Sequence, residues 1–309
     1  MIPERKCDMK NKEILIEAVA KRLGVDKDEV RITEILKNNG VKRTSVNVNR
    51  KAGNQTVSAN VYIDDIIGRL DDDSDSVGRA ATEIAIRYRE ASENEGMIDD
   101  LSKIDINREF VLENASIQVV GTESNADLLE DTPHRIIADL AAVVRVIVKT
   151  GKHGPCGSIL VKKSMIDSMG ISEDELFENA MRNMVNRSAF RCMSMAQMMA
   201  ELSGREPDEL DTPGGLYILT NESKFNGAAV LAFPDEMARL IDKICPDEES
   251  VYVIPSSIHE VLILAGCGLD ANDLRYMVRE INSTQVQPDE VLSNNVYVFD
   301  KETKELRVA

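Results

Sequence analysis

The chain has 309 residues, 43% hydrophobic and 29% charged, the balance of a folded protein with a sizeable core and not of a disordered one. Its 54 acidic against 37 basic residues leave a net charge of −17, which repels phosphate backbones in the absence of a locally basic patch, and the sequence shows none. Tryptophan is absent, so the core must rest mainly on Ile, Leu, Val and Met.

The length favours two or three lobes over one core of ordinary size. Cys7, Cys156, Cys192, Cys245 and Cys267 are odd in number, far apart and never in a Cys-x-x-Cys pair, which argues against a disulfide framework and a zinc site. At the start, MIPERKCDMKNKEILIEAV carries charges where a secretory signal needs its apolar core, and no stretch reaches the length of a membrane span. A cytoplasmic location follows as an expectation.

The first predicted element is a helix over residues 10–23, with Ile14, Leu15, Ala18, Val19 and Leu23 on one stripe and Gly24 as its stop. Next, a meander of three strands is expected, turning at Asn39-Gly40 and at Gly53-Asn54, with Val46/Val48 and Val57/Ala59/Val61 alternating onto one face. Asp71, Asp73 and Asp75 match the first three ligand positions of a calcium loop, but Ser76 stands at its glycine position and Thr82 at its bidentate glutamate. Carboxylates leading into a helix from about Val77 to Ala91 are the simpler account.

In the middle third, ASIQVVG and IIADLAAVVRVIVK read as strands, the second with an alanine-rich start that also suits a helix. GKHGPCGSILVKK reads as a glycine loop leading into a strand; it lacks the Gly-Lys-Ser/Thr ending and the following helix of a phosphate loop. Ser172 and Glu175 have the spacing of a capping box, and Leu176, Ala180, Met184, Phe177, Met181 and Val185 form the apolar face of the helix behind it. Met193, Met195, Met198 and Met199, with Met184 near them, suit either a core or an adaptable binding surface.

Residues 203–215, SGREPDELDTPGG, are polar and free of hydrophobic period, and mark a boundary. The expected lobes are 1–95, an α+β unit; 96–209, mixed and helical; and 210–309, α+β. In the last lobe GLYILT and AAVLAF read as strands, PDEMARLIDKI as a helix with Pro234 in its first turn, VYVIP and HEVLILA as strands, DANDLRYMVREINS as a helix, and VYVFD and ELRVA as strands. Asp270 stands where it can cap the last helix, and Leu274, Met277, Val278 and Ile281 are its expected inner face. The fold class is therefore α+β: an N-terminal helix with an antiparallel meander, a mixed middle, and a C-terminal ββαββα-type sheet with helices packed on it.

The blocks ITEILKNNGVKRTSV, LYILTN, NGAAVL, VIPSSIHEVLIL and MVREINSTQVQPDEVLSNNVYVFD resemble those of a bacterial family called domain of unknown function 5688. They reach to Asp300 and cover nearly the whole chain, and only the region around Lys149 to Gly157 is loosely matched. The resemblance implies an intracellular bacterial protein and carries over no activity, cofactor or catalytic residue. It does single out Asn38, Asn39 and Gly40, then Pro255, Ser256, Ser257, His259 and Glu260, then Asn282, Thr284 and Gln285.

Those residues hold the candidate chemistry. A hydrolase would use Ser256 or Ser257 as nucleophile and His259 as base, with Glu260 or Asp289 orienting the imidazole. Alternation along a strand sends His259 and Glu260 to opposite faces, and no Gly-x-Ser-x-Gly elbow is present. A metal would need His134, His153 or scattered carboxylates beside His259, none of them at ligand spacing. A proline-serine turn explains the same residues structurally, with hydroxyls bonded to nearby backbone. Asn282 and Gln285 either end the last helix or line a pocket with His259.

These considerations favour a non-catalytic binding or protein-interaction module with Asn282, Gln285 and His259 as binding residues. Its expected partner is a protein or a second copy meeting exposed strand edges, with no cofactor, metal, nucleic acid or membrane. The alternatives are the serine hydrolase and an acidic decoy that inhibits a nucleic-acid-binding protein.

Overall fold

The computed structural model describes residues 9–52, 55–71, 73–93, 104–151, 154–187, 190–204, 215–265 and 270–309. It is an α+β protein with antiparallel sheets. The chain forms two compact units, one of residues 1–37 and 41–105, the other of residues 38–40 and 106–309. The boundary expected near 203–215 falls within the second unit, and residues 205–214 lie outside the described residues.

In the first unit, helix α1 (Met9–Leu23) ends at Gly24, whose φ of 69° is left-handed backbone that glycine adopts at no steric cost. Strands β1 (Val30–Leu36), β2 (Lys42–Ala52) and β3 (Gln55–Tyr62) follow as the expected antiparallel meander. A short helix α2 (Asp64–Ile67) and the long α3 (Ser74–Glu93) complete the unit. Its core joins Leu15 and Val19 of α1 to Val46 and Val48 of β2 and to Ala81 and Ile84 of α3. Ile14, expected on the inner stripe, is exposed instead. Of the three aspartates that suggested calcium, Asp73 caps α3, its Oδ1 accepting from the Ser76 N–H at 2.7 Å.

In the second unit, α4 (Arg108–Asn114) leads into β4 (Ala115–Gly121), and α5 (Ala126–Glu130) into β5 (His134–Ile137). Strand β6 (Leu140–Gly151) pairs with β4 on one side and with β5 and β7 (Gly154–Leu160) on the other. IIADLAAVVRVIVK is thus two strands, folded over at Ala138 (φ 53°) and Asp139. The glycines of GKHGPCGSIL mostly belong to β7 rather than to a loop, because β6 continues far enough to pair with them.

Helices α6 (Lys163–Met169) and α7 (Glu173–Arg187) come next, the Glu175 N–H donating to Ser172 Oγ as the capping-box spacing requires. Leu176, Phe177, Ala180 and Met184 of α7 are buried, whereas Val185 is exposed. Strand β8 (Phe190–Ser194) and α8 (Met195–Ser203) bury Met193 and Met198, and Met199 faces solvent.

The remaining strands, β9 (Leu216–Asn221), β10 (Ser250–Ser257), β11 (Glu260–Leu264), β12 (Tyr297–Asp300) and β13 (Leu306–Val308), join β8 in a six-stranded sheet of order β13-β12-β10-β11-β9-β8. Helices α9 (Pro234–Ile244) and α10 (Ala271–Thr284) lie where expected. AAVLAF is not a strand: Gly227–Ala232 is a 3-10 turn whose residues up to Leu231 are buried. A short, almost wholly buried apolar run has no period to distinguish the two states, and here the left-handed Asn226 (φ 52°) starts the turn. One core joins both sheets, taking in Val119, Val144, Phe177, Leu219, Val230, Val261 and Phe299. In α10 the inward positions are Leu274, Val278 and Asn282, while Met277 and Ile281 are half exposed. Asp270 stands at the N-cap without capping; its Oδ2 accepts from Asn272 Nδ2.

Candidate functional site

The Ser256–Glu260 segment is not a proline-serine turn. Register between β10 and β11 shifts between Ile254 and Ser257, so Pro255 and Ser256 form a bulge, a position where the missing proline N–H breaks no ladder bond. The tight turn is Ile258–His259, closed by Ser257 opposite Glu260. Ser257 Oγ accepts from the His259 main-chain N–H at 3.0 Å, and Ile258 N–H donates to the Glu290 carbonyl at 2.9 Å. The Ser256 side chain lies outside the described residues.

His259 is oriented from three sides. The Asn226 N–H donates to its Nδ1 at 3.2 Å, the Phe225 ring lies 5.4 Å from it, and its Nε2 faces Glu290 Oε1 at 3.7 Å. A ring whose Nδ1 accepts carries its proton on Nε2, the nitrogen turned toward a carboxylate. Neither ring nitrogen meets Ser257, so the serine-histidine pairing that nucleophilic catalysis needs is not formed between these two residues. Glu260 sits in β11 on the far side of the turn, and the Asp289 carbonyl accepts from Asn38 Nδ2. His134, considered as a metal partner, places Nδ1 2.9 Å from the Thr132 carbonyl; His153 lies outside the described residues.

Asn282 and Gln285 line a different place, a cleft of ≈ 1360 Å³ at the C-terminal end of α10. Its walls are Asn39, the β4–α5 connection from Gly121 to Ser124, Asp139, and the strap that runs from Gln285 to Asn295. His259 is not among the lining residues; Glu290 of the strap reaches it, while Val291, Leu292 and Ser293 face the cleft.

Amide and hydroxyl side chains dominate the lining: Asn39, Thr122, Ser124, Asn282 to Gln285, Gln287 and Ser293 to Asn295. No aromatic side chain is among the described residues that line it. Two hydrogen-bonded hubs hold the walls. Asn39, left-handed at φ 60°, donates through Nδ2 to the Pro288 carbonyl at 2.9 Å and the Val291 carbonyl at 2.7 Å, and accepts at Oδ1 from Ser124 and Asn125. Asp139 accepts from the Tyr297 hydroxyl at 2.7 Å and from Asn295 Nδ2 at 2.8 Å. Burial pushes the Tyr297 phenol well above its ordinary range, so it remains a donor to that carboxylate; a bond to Ser293 acts the other way. Asn282 Nδ2 ties α10 to the strap through the Ser293 carbonyl and Asn294 Oδ1.

Asn39, Asp139, Glu290 and Asn226 were not assigned roles by sequence alone. Asn39 carried a signal as the middle of an Asn-Asn-Gly turn inside a matched block; Asn226 and Glu290 also lie in matched blocks, and Asp139 in none.

Fold and cleft define an α+β protein whose larger unit presents a polar, amide-lined groove with hydrogen-bonded walls. The chain belongs to the family described as Family of unknown function (DUF5688), whose model matches residues 10–301. No curated protein and no solved structure matches it. Among the described residues, no helix is long and apolar enough to cross a membrane.

Proposed function

We propose that this protein is a non-catalytic binding module, and that the cleft beside the end of α10 takes an extended peptide segment of a protein partner. The observation that carries this reading is the lining itself. Amide and hydroxyl groups that can both donate and accept suit a peptide main chain, which presents one donor and one acceptor per residue. A polyanion would call for several cations, and the lining contains Arg279 beside Glu123 and Asp139. An apolar or planar ligand would call for aromatic walls.

The engagement of Ser257 by the His259 main chain and of His259 Nδ1 by Asn226 speaks for this reading over the hydrolase. Selection from a random twelve-residue peptide display library against the whole protein tests it. The expected result is an enriched set whose affinity falls at least tenfold in both Gln285→Ala and Arg279→Ala, two exposed positions where folding is preserved. Binders insensitive to both substitutions, or none, would overturn it. Turnover of a nitrophenyl ester that disappears in His259→Gln would establish the hydrolase instead.

A further inference from the structure

A second groove, of ≈ 440 Å³, lies on the same unit and has none of the cleft's lining residues. It runs between strand β5, helix α7 and the β12–β13 hairpin, with Ile137, Phe177, Met181, Leu231 and Leu306 among its walls. Ile136 of β5, 61% exposed, stands at its edge, with its side chain on the sheet face opposite to Arg135 and Ile137, where it would meet the alternate side chains of an added strand.

Among the described residues, the backbone beside the groove has no second strand partner. Strand β5 pairs with β6 alone among the described residues, in the register His134↔Val143 to Ile137↔Leu140. A two-residue hairpin bonds Ile137 to Leu140 and Arg135 to Ala142, so the N–H and C=O of His134 and Ile136 point away from β6. Strand β13, whose Leu306 lines the same groove, is the terminal strand of the six-stranded sheet. An open edge of this kind, free of proline, accepts an added strand.

Charge narrows the occupant. The charged lining residues are Arg135, Lys304 and Glu305, a net positive rim on a chain of net charge −17. Arg135 lies 4.6 Å over the Phe177 ring, which leaves its guanidinium at the rim; its ion-pair partner Asp174 and the Lys304 partner Asp235 are both highly exposed and weakly held. A second copy pairing β5 to β5 with His134 opposite Ile136 would bring Arg135 against Arg135, which disfavours self-association in that register.

We infer that this groove receives an extended segment of another protein, apolar at alternate positions and flanked by acidic residues, which adds as a strand to β5. Its apolar side chains enter between Ile137, Met181 and Leu306, and its carboxylates meet Arg135 and Lys304. This surface shares no lining residue with the amide-lined cleft, although the β5–β6 turn gives Ala138 to the groove and Asp139 to the cleft.

The test uses the full chain and a fluorescein-labelled peptide, Glu-Val-Thr-Val-Thr-Val-Glu, followed by anisotropy and by amide hydrogen exchange resolved by residue. The peptide is expected to slow exchange at His134 and Ile136 at least tenfold. Ile136→Lys should weaken binding at least tenfold, and a peptide with proline at its centre should not bind, since it lacks the central N–H. Lys304→Glu should weaken this peptide several-fold and strengthen a lysine-flanked one. Absence of protection at millimolar peptide, or equal binding by the proline peptide or by Ile136→Lys, would overturn the inference. So would protection of His134 and Ile136 in the peptide-free protein: if it rises with protein concentration a second copy fills the edge, and if it does not the chain covers the edge itself. Gln285→Ala, which tests the cleft, is expected to leave this binding unchanged.

Discussion

Asn39 and Asn125 hold each other by two hydrogen bonds, the Asn39 main-chain N–H donating to Asn125 Oδ1 at 2.8 Å and Asn125 Nδ2 donating to Asn39 Oδ1 at 3.0 Å. Asn125 is buried and also donates to the Gly121 carbonyl, so the pair joins the end of β4 to the strap through the two Asn39 bonds to Pro288 and Val291. One wall of the cleft depends on this junction.

Asn39→Ala removes those side-chain bonds and places alanine in left-handed backbone, at a combined cost of about 2–4 kcal/mol. Asn39→Gly keeps the backbone conformation and should cost less, about 1–2 kcal/mol. Urea unfolding of the three proteins checks the order; equal stability of wild type and Asn39→Ala would refute the hub.

Gly227 has no room for a side chain. A Cβ there would overlap Thr220 Oγ1 and the His259 carbonyl oxygen and come within 2.9 Å of Thr220 Cα. Thr220 Oγ1 donates to that same carbonyl at 2.9 Å, so neither atom can retreat without breaking the β9–β11 packing. Gly227→Ala should therefore destabilise the second unit by about 3 kcal/mol or more and disturb the His259 environment. Thermal unfolding and the His259 imidazole resonances in NMR spectra read the two effects, and a native-like variant would show that the turn adapts.

In the first unit, Arg87 forks onto Asp65, with bonds of 2.9 and 2.6 Å to its two carboxylate oxygens. That hydrogen bonding, chiefly, brings the Asp65 carboxyl down to about 2. A carboxyl whose folded value lies below its unfolded value of about 3.9 stabilises the fold above that value, and the contribution fades as pH falls from about 4 to about 2. Asp65 is 54% exposed, so solvent screening holds the effect below about 1 kcal/mol. Asp65→Asn should flatten the acid limb of the unit's stability profile within that window while changing little elsewhere; an unchanged slope in urea titrations at pH 4 and pH 2.5 would count against the ion pair.

Burial raises the Cys192 thiol to about 12, with Cys245 nearby adding to the shift. The thiolate is the reactive form, so Cys192 should resist iodoacetamide at pH 8 in the folded chain and react at least a hundredfold faster in urea. Peptide mapping after timed alkylation decides this, and rapid labelling of native Cys192 would mean that strand β8 opens to solvent.

Much of the architecture was legible in the sequence because it rests on local signals. Helices α1, α7, α9 and α10 announce themselves by period and by Gly24, Ser172, Pro234 and Asp270 at their ends, and the meander by Val46 and Val48 with Asn39-Gly40. AAVLAF misled because nearly all its positions are buried, Ala232 alone being half-buried, and the hairpin at Ala138–Asp139 was obscured because a left-handed alanine carries no turn signature. Met277 and Ile281 looked inward by composition, whereas the direction α10 faces is decided by what packs on it, and Asn282 took the inner place for its bonds to the strap.

The sequence by itself determined the fold class, the family blocks and the prominence of Asn39, His259, Asn282 and Gln285. Tertiary structure alone decided their grouping. Residues separated by 86 positions, as Asn39 and Asn125 are, or by 158, as Asp139 and Tyr297 are, meet through pairing that leaves no period in the chain. Close positions can likewise be separated: Ser257 and His259 are neighbours in sequence, yet the turn bonds the serine to the histidine's backbone and turns the imidazole to Asn226 and Glu290. Side-chain direction depends on backbone dihedrals and on distant partners, and spacing along the chain encodes neither.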